Sequence, residues 1–189
     1  MSRDDGERWE VRWRERPPGP ADPEPFLVRH HGWLRPGHVL DVACGAGRNA
    51  LWLARRGFAV TAIDIAPSAL ARLEEAARRE QLGLVLRQAD LDDPDALSGL
   101  GPFDDLVVIR YNPSDAQWAR LLVRLRPGGR ILLCGFALAD HFRHGTRRAY
   151  CLEPERVEAA LAGMRLLVHE TFDDRGRSLA GFVWEKAEG

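Results

Sequence analysis

The chain has 189 residues, 45% hydrophobic and 29% charged, with a net charge of -1. This is ordinary globular usage, which excludes disordered and fibrous classes and suits one domain with a single core. No apolar run approaches the roughly 20 residues of a membrane span, the N-terminus lacks the apolar stretch of a secretory signal, and an odd set of 3 cysteines excludes a disulfide framework, so a soluble cytoplasmic protein is expected.

The N-terminal arginines are matched by Asp4, Asp5, Glu7, Glu10 and Glu15. This segment reads as a solvated helix and not as a nucleic-acid arm. Trp9 and Trp13 are four apart, which puts both on one helix face, and a short helix needs an apolar surface to dock on. Residues 1–25 are therefore expected to be a helical lid segment over a domain at 26–189, with Pro17-Pro18-Gly19-Pro20 as a stiff link.

From residue 38 onward, short apolar runs alternate with helical patterns. Strands are expected at 38–42, 58–63, 84–88, 103–109, 131–133, 166–171 and 179–184. Helices are expected around Ala50-Leu51-Trp52-Leu53-Ala54, from Pro67 to Glu80, after Ser114, and from Pro154 to Gly163. Ser114-Asp115-Ala116-Gln117 has capping-box spacing, and Pro127-Gly128-Gly129 reads as a break. Residues 137–151 read as a loop. Strands alternating with helices imply a three-layer α/β/α sandwich, Rossmann-like, with a mostly parallel seven-stranded sheet. The last two strands are joined by a turn at Asp173-Asp174-Arg175-Gly176 and must form a C-terminal antiparallel hairpin.

The chemistry is concentrated in Asp41-Val42-Ala43-Cys44-Gly45-Ala46-Gly47, between the first strand and the first helix. Gly45 and Gly47 let the backbone turn sharply and approach a ligand. Asp64 closes the second strand, where a carboxylate can accept two hydrogen bonds from a ribose diol. Asp41 would repel a pyrophosphate beside the loop but attract the methionyl ammonium of S-adenosylmethionine. Asp90 offers a carboxylate to an adenine amino group. The plainer reading makes Asp41 and Asp90 turn caps. A Rossmann NAD-binding oxidoreductase and a non-catalytic S-adenosylmethionine-binding module are the alternatives.

Val39-Leu40-Asp41-Val42-Ala43-Cys44-Gly45-Ala46-Gly47-Arg48-Asn49 with Ala62-Ile63-Asp64-Ile65 resembles the class I S-adenosylmethionine-dependent methyltransferases. Gly47-Arg48-Asn49 and Leu51-Trp52-Leu53-Ala54 are similar to the tellurite-resistance branch. Trp9-Glu10-Val11-Arg12-Trp13 resembles that branch's N-terminal segment. The resemblance implies that Asp41, Ala43, Gly45 and Gly47 surround the methionine part of the cofactor. It places Asp64 on the ribose, Ile65 against adenine, and Asp90 with Leu91 at the adenine edge. The Arg110 carbonyl would face the methionyl ammonium, Tyr111 would sit near the transferring methyl, and Arg12 would reach the cofactor carboxylate. The branch's polar stretch between the last two strands is missing here, which puts tellurite specificity in doubt.

Methyl transfer needs alignment more than a base when the acceptor is already a soft anion. If a base is used, Tyr150 and His144 are the catalytic candidates, with His141 as a third. His141 and His144 lack a third ligand, so no metal site is expected. Cys151 is the cysteine expected where a substrate could approach. The 137–151 loop holds Arg143, Arg147, Arg148, His141 and His144 against Asp140. That imbalance points to an anionic, thiol or metalloid-oxyanion acceptor, with Arg147 and Arg148 binding it. The expected partner is a small-molecule substrate, with no nucleic acid and no membrane, on a monomer or homodimer.

Overall fold

The computed structural model describes residues 3–17 and 22–188. Its strands are β1 (His38–Val42), β2 (Ala59–Asp64), β3 (Leu84–Gln88), β4 (Phe103–Ile109), β5 (Leu125–Ala137), β6 (Cys151–Leu152), β7 (Arg165–Asp174) and β8 (Arg177–Glu185). They form one 8-stranded sheet in the order β3-β2-β1-β4-β5-β8-β7, with β6 beside β5 only. The seven strands on that path are the expected ones, and β6 is the addition. β1 to β5 pair in parallel, whereas β8 runs antiparallel to β5 and β7.

Alternation along β1 explains the layers. Leu40 and Val42 join one buried cluster with Trp118, Leu121 and Phe182, while Val39 joins another with Trp52, Leu73 and Val183. A parallel sheet buried on both faces needs apolar residues at successive positions. Helices α5 (Asp115–Arg124) and α7 (Pro154–Ala160) cover the first face. Helices α2 (Pro25–His30), α3 (Arg48–Ala54) and α4 (Pro67–Arg79) cover the second. Ser114 caps α5 with the full reciprocal capping box to Gln117. At its other end, Lys186 Nζ donates to the Leu122 and Leu125 carbonyls at 2.8 and 2.7 Å.

Several expectations need correction. β5 begins at Leu125, and Pro127-Gly128-Gly129 is a bulge within its pairing to β4, not a break before it. Residues 137–151 are not a plain loop: α6 (Leu138–His144) and β6 occupy much of the segment. What folds α6 is distant in sequence. Asp140, with no exposure, accepts hydrogen bonds from Arg177 Nε and Nη2, the Ser178 amide and the Thr146 hydroxyl. No local pattern announces that bond. Helix α2, likewise unforeseen, is seated by Phe26, whose ring lies where a Cβ on Gly181 would be, at 2.3 Å. The final turn is narrower than expected: Arg175 and Gly176 both have positive φ, 48° and 77°, the two-residue hairpin geometry that follows strand twist. Of the proline-rich link, residues 18–20 lie outside the described residues.

Candidate active site

Strand order reverses beside β1, which has β2 on one side and β4 on the other. The crevice above such a switch point is where open α/β sheets bind ligands. The glycine loop leaves β1 through Ala43, Gly45 and Gly47 with φ of 54°, 56° and 78°. Only glycine adopts that region without strain, so Ala43 is held there by its surroundings. The Leu73 side chain of α4 packs where a Gly47 Cβ would stand, at 2.1 Å. Asp64 ties the loop to β2: its Oδ2 accepts the Gly45 amide at 2.7 Å and its Oδ1 the Ala66 amide at 2.9 Å. Burial raises its pKa against backbone bonds from Ala66, Gly45 and Ile65. Three donors leave the carboxylate room for a further one.

Asp41 is 1% exposed; neither carboxylate oxygen has a hydrogen bond of full geometry among the described residues, while the Ala50 amide approaches closely enough to favour its charged form. Burial pushes its pKa up to about 7, with the Arg48 guanidinium pulling down and Asp64 pushing up. The Ala50 amide, at the start of α3, is the backbone donor that a capping role would use. The capping reading holds in part for Asp90, whose Oδ1 accepts the Asp92 amide at 3.0 Å. Leu91 is buried, and its carbonyl is taken by Arg120. Ile65 lies under Gly6 of the N-terminal helix α1 (Arg3–Glu15).

Helix α1 runs across this crevice. Glu10 accepts the Ser68 amide at 3.0 Å and its hydroxyl at 2.8 Å. The Trp13 ring comes within 2.5 Å of where a Gly45 Cβ would be, and Arg8 donates to the Tyr150 hydroxyl at 2.8 Å. Trp9 lies 6.5 Å from the Tyr150 ring. Both tryptophans thus face the domain, while Arg12 is exposed and lies over Trp9. Tyr150 is held near the end of β4 because Asn112 donates to the Ala149 and Cys151 carbonyls. Tyr111 donates to Gln117.

Other candidates stand apart from this arrangement. His144 and Arg147 are exposed. Arg148 is engaged by Glu153 through both of its bonded nitrogens, at 2.9 and 2.7 Å, and Arg143 bonds Ser178 and faces Asp173. The cationic excess read from 137–151 is largely paired. Cys151 is 1% exposed in β6, because pairing with Phe136 draws it into the sheet, so it is not open to a substrate. Arg110 ends β4 at φ 58°, and its guanidinium bonds Glu24.

Sequence reasoning missed Glu24, which has no exposure and binds both Arg48 and Arg110. It also missed Phe136, which both Arg110 and Arg177 overlie. The local signal for Glu24 was only its place before Pro25.

Residues 39–129 match the methyltransferase domain family. The chain is 32% identical over 108 residues to a ribosomal RNA small subunit methyltransferase C of Alcanivorax borkumensis, covering 54% of this chain and 33% of that protein. It is 39% identical over 106 residues to a ribosomal protein L11 methyltransferase of Methylococcus capsulatus, covering 54% and 34%. The chain therefore spans about a third of the length of these relatives. Among solved structures, one described as converting a disulfide bond into a thioacetal group during echinomycin biosynthesis superposes with a TM-score of 0.79 at 20% identity, covering 96% of this chain and 91% of that one. TehB from Haemophilus influenzae gives a TM-score of 0.71 at 18% identity, covering 85% and 61%. These likenesses establish the fold.

Proposed function

We propose that the chain, whose residues 39–129 match the methyltransferase domain family, is a class I S-adenosylmethionine-dependent methyltransferase that transfers a methyl group to a small-molecule acceptor. The observation that carries the reading is Asp41. A buried carboxylate with no hydrogen bond of full geometry on either oxygen fits an ammonium group, and it stands beside a loop that turns through positive φ at Gly45 and Gly47. A pyrophosphate would be repelled there, so the NAD-binding alternative is disfavoured. The residues that would hold the cofactor are Asp41 at the amino group, Gly45 and Gly47 along the methionyl chain, Asp64 at the ribose, and Ile65, Asp90 and Leu91 around adenine. Arg110 would turn its carbonyl toward the ammonium. S-adenosylmethionine supplies an electrophilic methyl group on a sulfonium.

The chain's own part is to orient and to exclude water. Helix α1 acts as the lid: it closes over Ile65, Ser68 and Gly45 and latches to Tyr150 through Arg8. A site roofed in this way admits a small acceptor more readily than a folded RNA or protein. Tyr111 lines the acceptor side. Tyr150, inside the roofed region, is assigned to proton transfer when the acceptor needs it, ahead of the exposed His144. With Arg148 engaged by Glu153, Arg147 is the cation of the 137–151 segment still available to an anionic acceptor.

The test is calorimetry with S-adenosylhomocysteine beside NAD(H). The homocysteine compound should bind and NAD(H) should not. Asp64→Ala should weaken binding by at least about tenfold, since charge-assisted bonds to ribose contribute about 1.5–3 kcal/mol. Equal affinity for wild type and variant would refute the ribose assignment, and NAD(H) binding alone would refute the function.

A further inference from the structure

Phe136, at the end of β5, is half-buried between two anchored cations. The guanidinium carbons of Arg110 and Arg177 lie 4.8 and 4.6 Å from its ring centroid. Each cation is pinned by a carboxylate with no exposure. Glu24 accepts from Arg110 Nε at 2.9 Å and Nη2 at 3.4 Å. Asp140 accepts from Arg177 Nε at 3.0 Å and Nη2 at 2.5 Å, and Nη2 also donates to Thr146 Oγ1 at 2.6 Å. In both residues Nη1 has no acceptor among the described residues. Asp174 stands 3.8 Å from Arg110 Nη2, too far to bond. Both guanidinium groups are thus held in place through Nε and Nη2, with Nη1 of each left over.

We propose that Arg110 and Arg177, spaced by the Phe136 ring, anchor a carboxylate carried by the methyl acceptor. The inference rests on the methyltransferase reading and assigns the acceptor's chemical class. Strand order supplies the direction. The ribose and adenine determinants sit over β2 and β3, and the ammonium determinant over β1. The reacting end of a cofactor laid along them points toward β4 and β5, where Arg110 and Phe136 stand. The two oxygens of a carboxylate can each accept a charge-assisted hydrogen bond from one Nη1. Because buried carboxylates already hold both side chains, little rotamer freedom remains to be lost on binding.

The experiment uses benzoate as the probe and benzamide as its uncharged isostere, titrated into full-length protein saturated with S-adenosylhomocysteine and followed by ligand-observed NMR. Benzoate should bind at least about tenfold tighter than benzamide, and Arg177→Lys should weaken it at least about fivefold, because lysine keeps the charge facing Asp140 but lacks the Nη1 donor. Affinity for S-adenosylhomocysteine should stay within about twofold. Phe136→Leu, which keeps both cations and removes the spacer, carries the same expectation and serves if Arg177→Lys melts too early. Benzoate binding no tighter than benzamide overturns the proposal. So does an equal loss of S-adenosylhomocysteine affinity in the variants, which would assign the two arginines to the cofactor's own carboxylate. If S-adenosylhomocysteine fails to bind wild type, the methyltransferase reading is what fails, and the acceptor assignment falls with it.

Discussion

At the scale of single residues, Asp41 carries the sharpest consequence. Its pKa is raised to about 7 by burial, and an arriving ammonium would lower it again. A group whose pKa falls on binding releases a proton, so affinity for S-adenosylhomocysteine should rise with pH and level off above about 7. In the protein alone the sign is opposite. A carboxylate with a raised folded pKa costs stability as pH climbs from its unfolded value of 3.8 toward 7. Calorimetry in buffers of different ionisation enthalpy should show proton release near pH 6.5 for wild type and none for Asp41→Asn. Identical proton counts would remove Asp41 from the site. The position of Asp41 was legible from its spacing to Gly45. That neither oxygen gains a hydrogen bond of full geometry was not, because burial and pairing arise from the packing of α3 and β2 around it.

At the scale of elements, what could be read was whatever local chemistry decides. The capping box at Ser114 and Gln117 is complete in sequence and in structure. Ser114→Ala should cost about 1 kcal/mol and lower the melting temperature by roughly 2–4 °C in a domain of this size. Unchanged melting would show that α5 is held by the packing of Trp118 and Leu121 alone. Helix α6 is the contrary case. Its stability comes from Arg177 on β8 reaching back to Asp140, whose pKa that ion pair holds well below the usual carboxylate range. A reading by periodicity sees only a polar stretch. The same cause misplaced Arg148 and Cys151: Glu153 engages one, and β6 pairing buries the other.

At the scale of the whole molecule, the sheet order and the hairpin were legible because right-handed crossovers and a short final turn leave few arrangements. The relation of α1 to the domain rested on the Trp9 and Trp13 spacing, and both rings do face inward. Trp13 lies against Gly45, and on the lid role proposed for α1, entry requires the helix to lift and closure to reseat it. A gate of this kind governs rates more than affinity. Trp13→Ala should speed both association and release of S-adenosylhomocysteine in stopped-flow measurements, with a smaller change in their ratio. Rates equal to wild type would make α1 a fixed wall.

The cysteines follow from the same closed architecture. Cys44, Cys134 and Cys151 are all free and buried. The Cys44 thiol, inside the glycine loop, is pushed well above its ordinary pKa by burial and by Asp41 and Asp64. A thiol in that condition scarcely reacts from the closed state, so alkylation proceeds through local opening. The loop therefore contains its own exchange clock, whose rate reads the free energy of opening the crevice. Any ligand that binds only the closed form slows that clock in proportion to its occupancy.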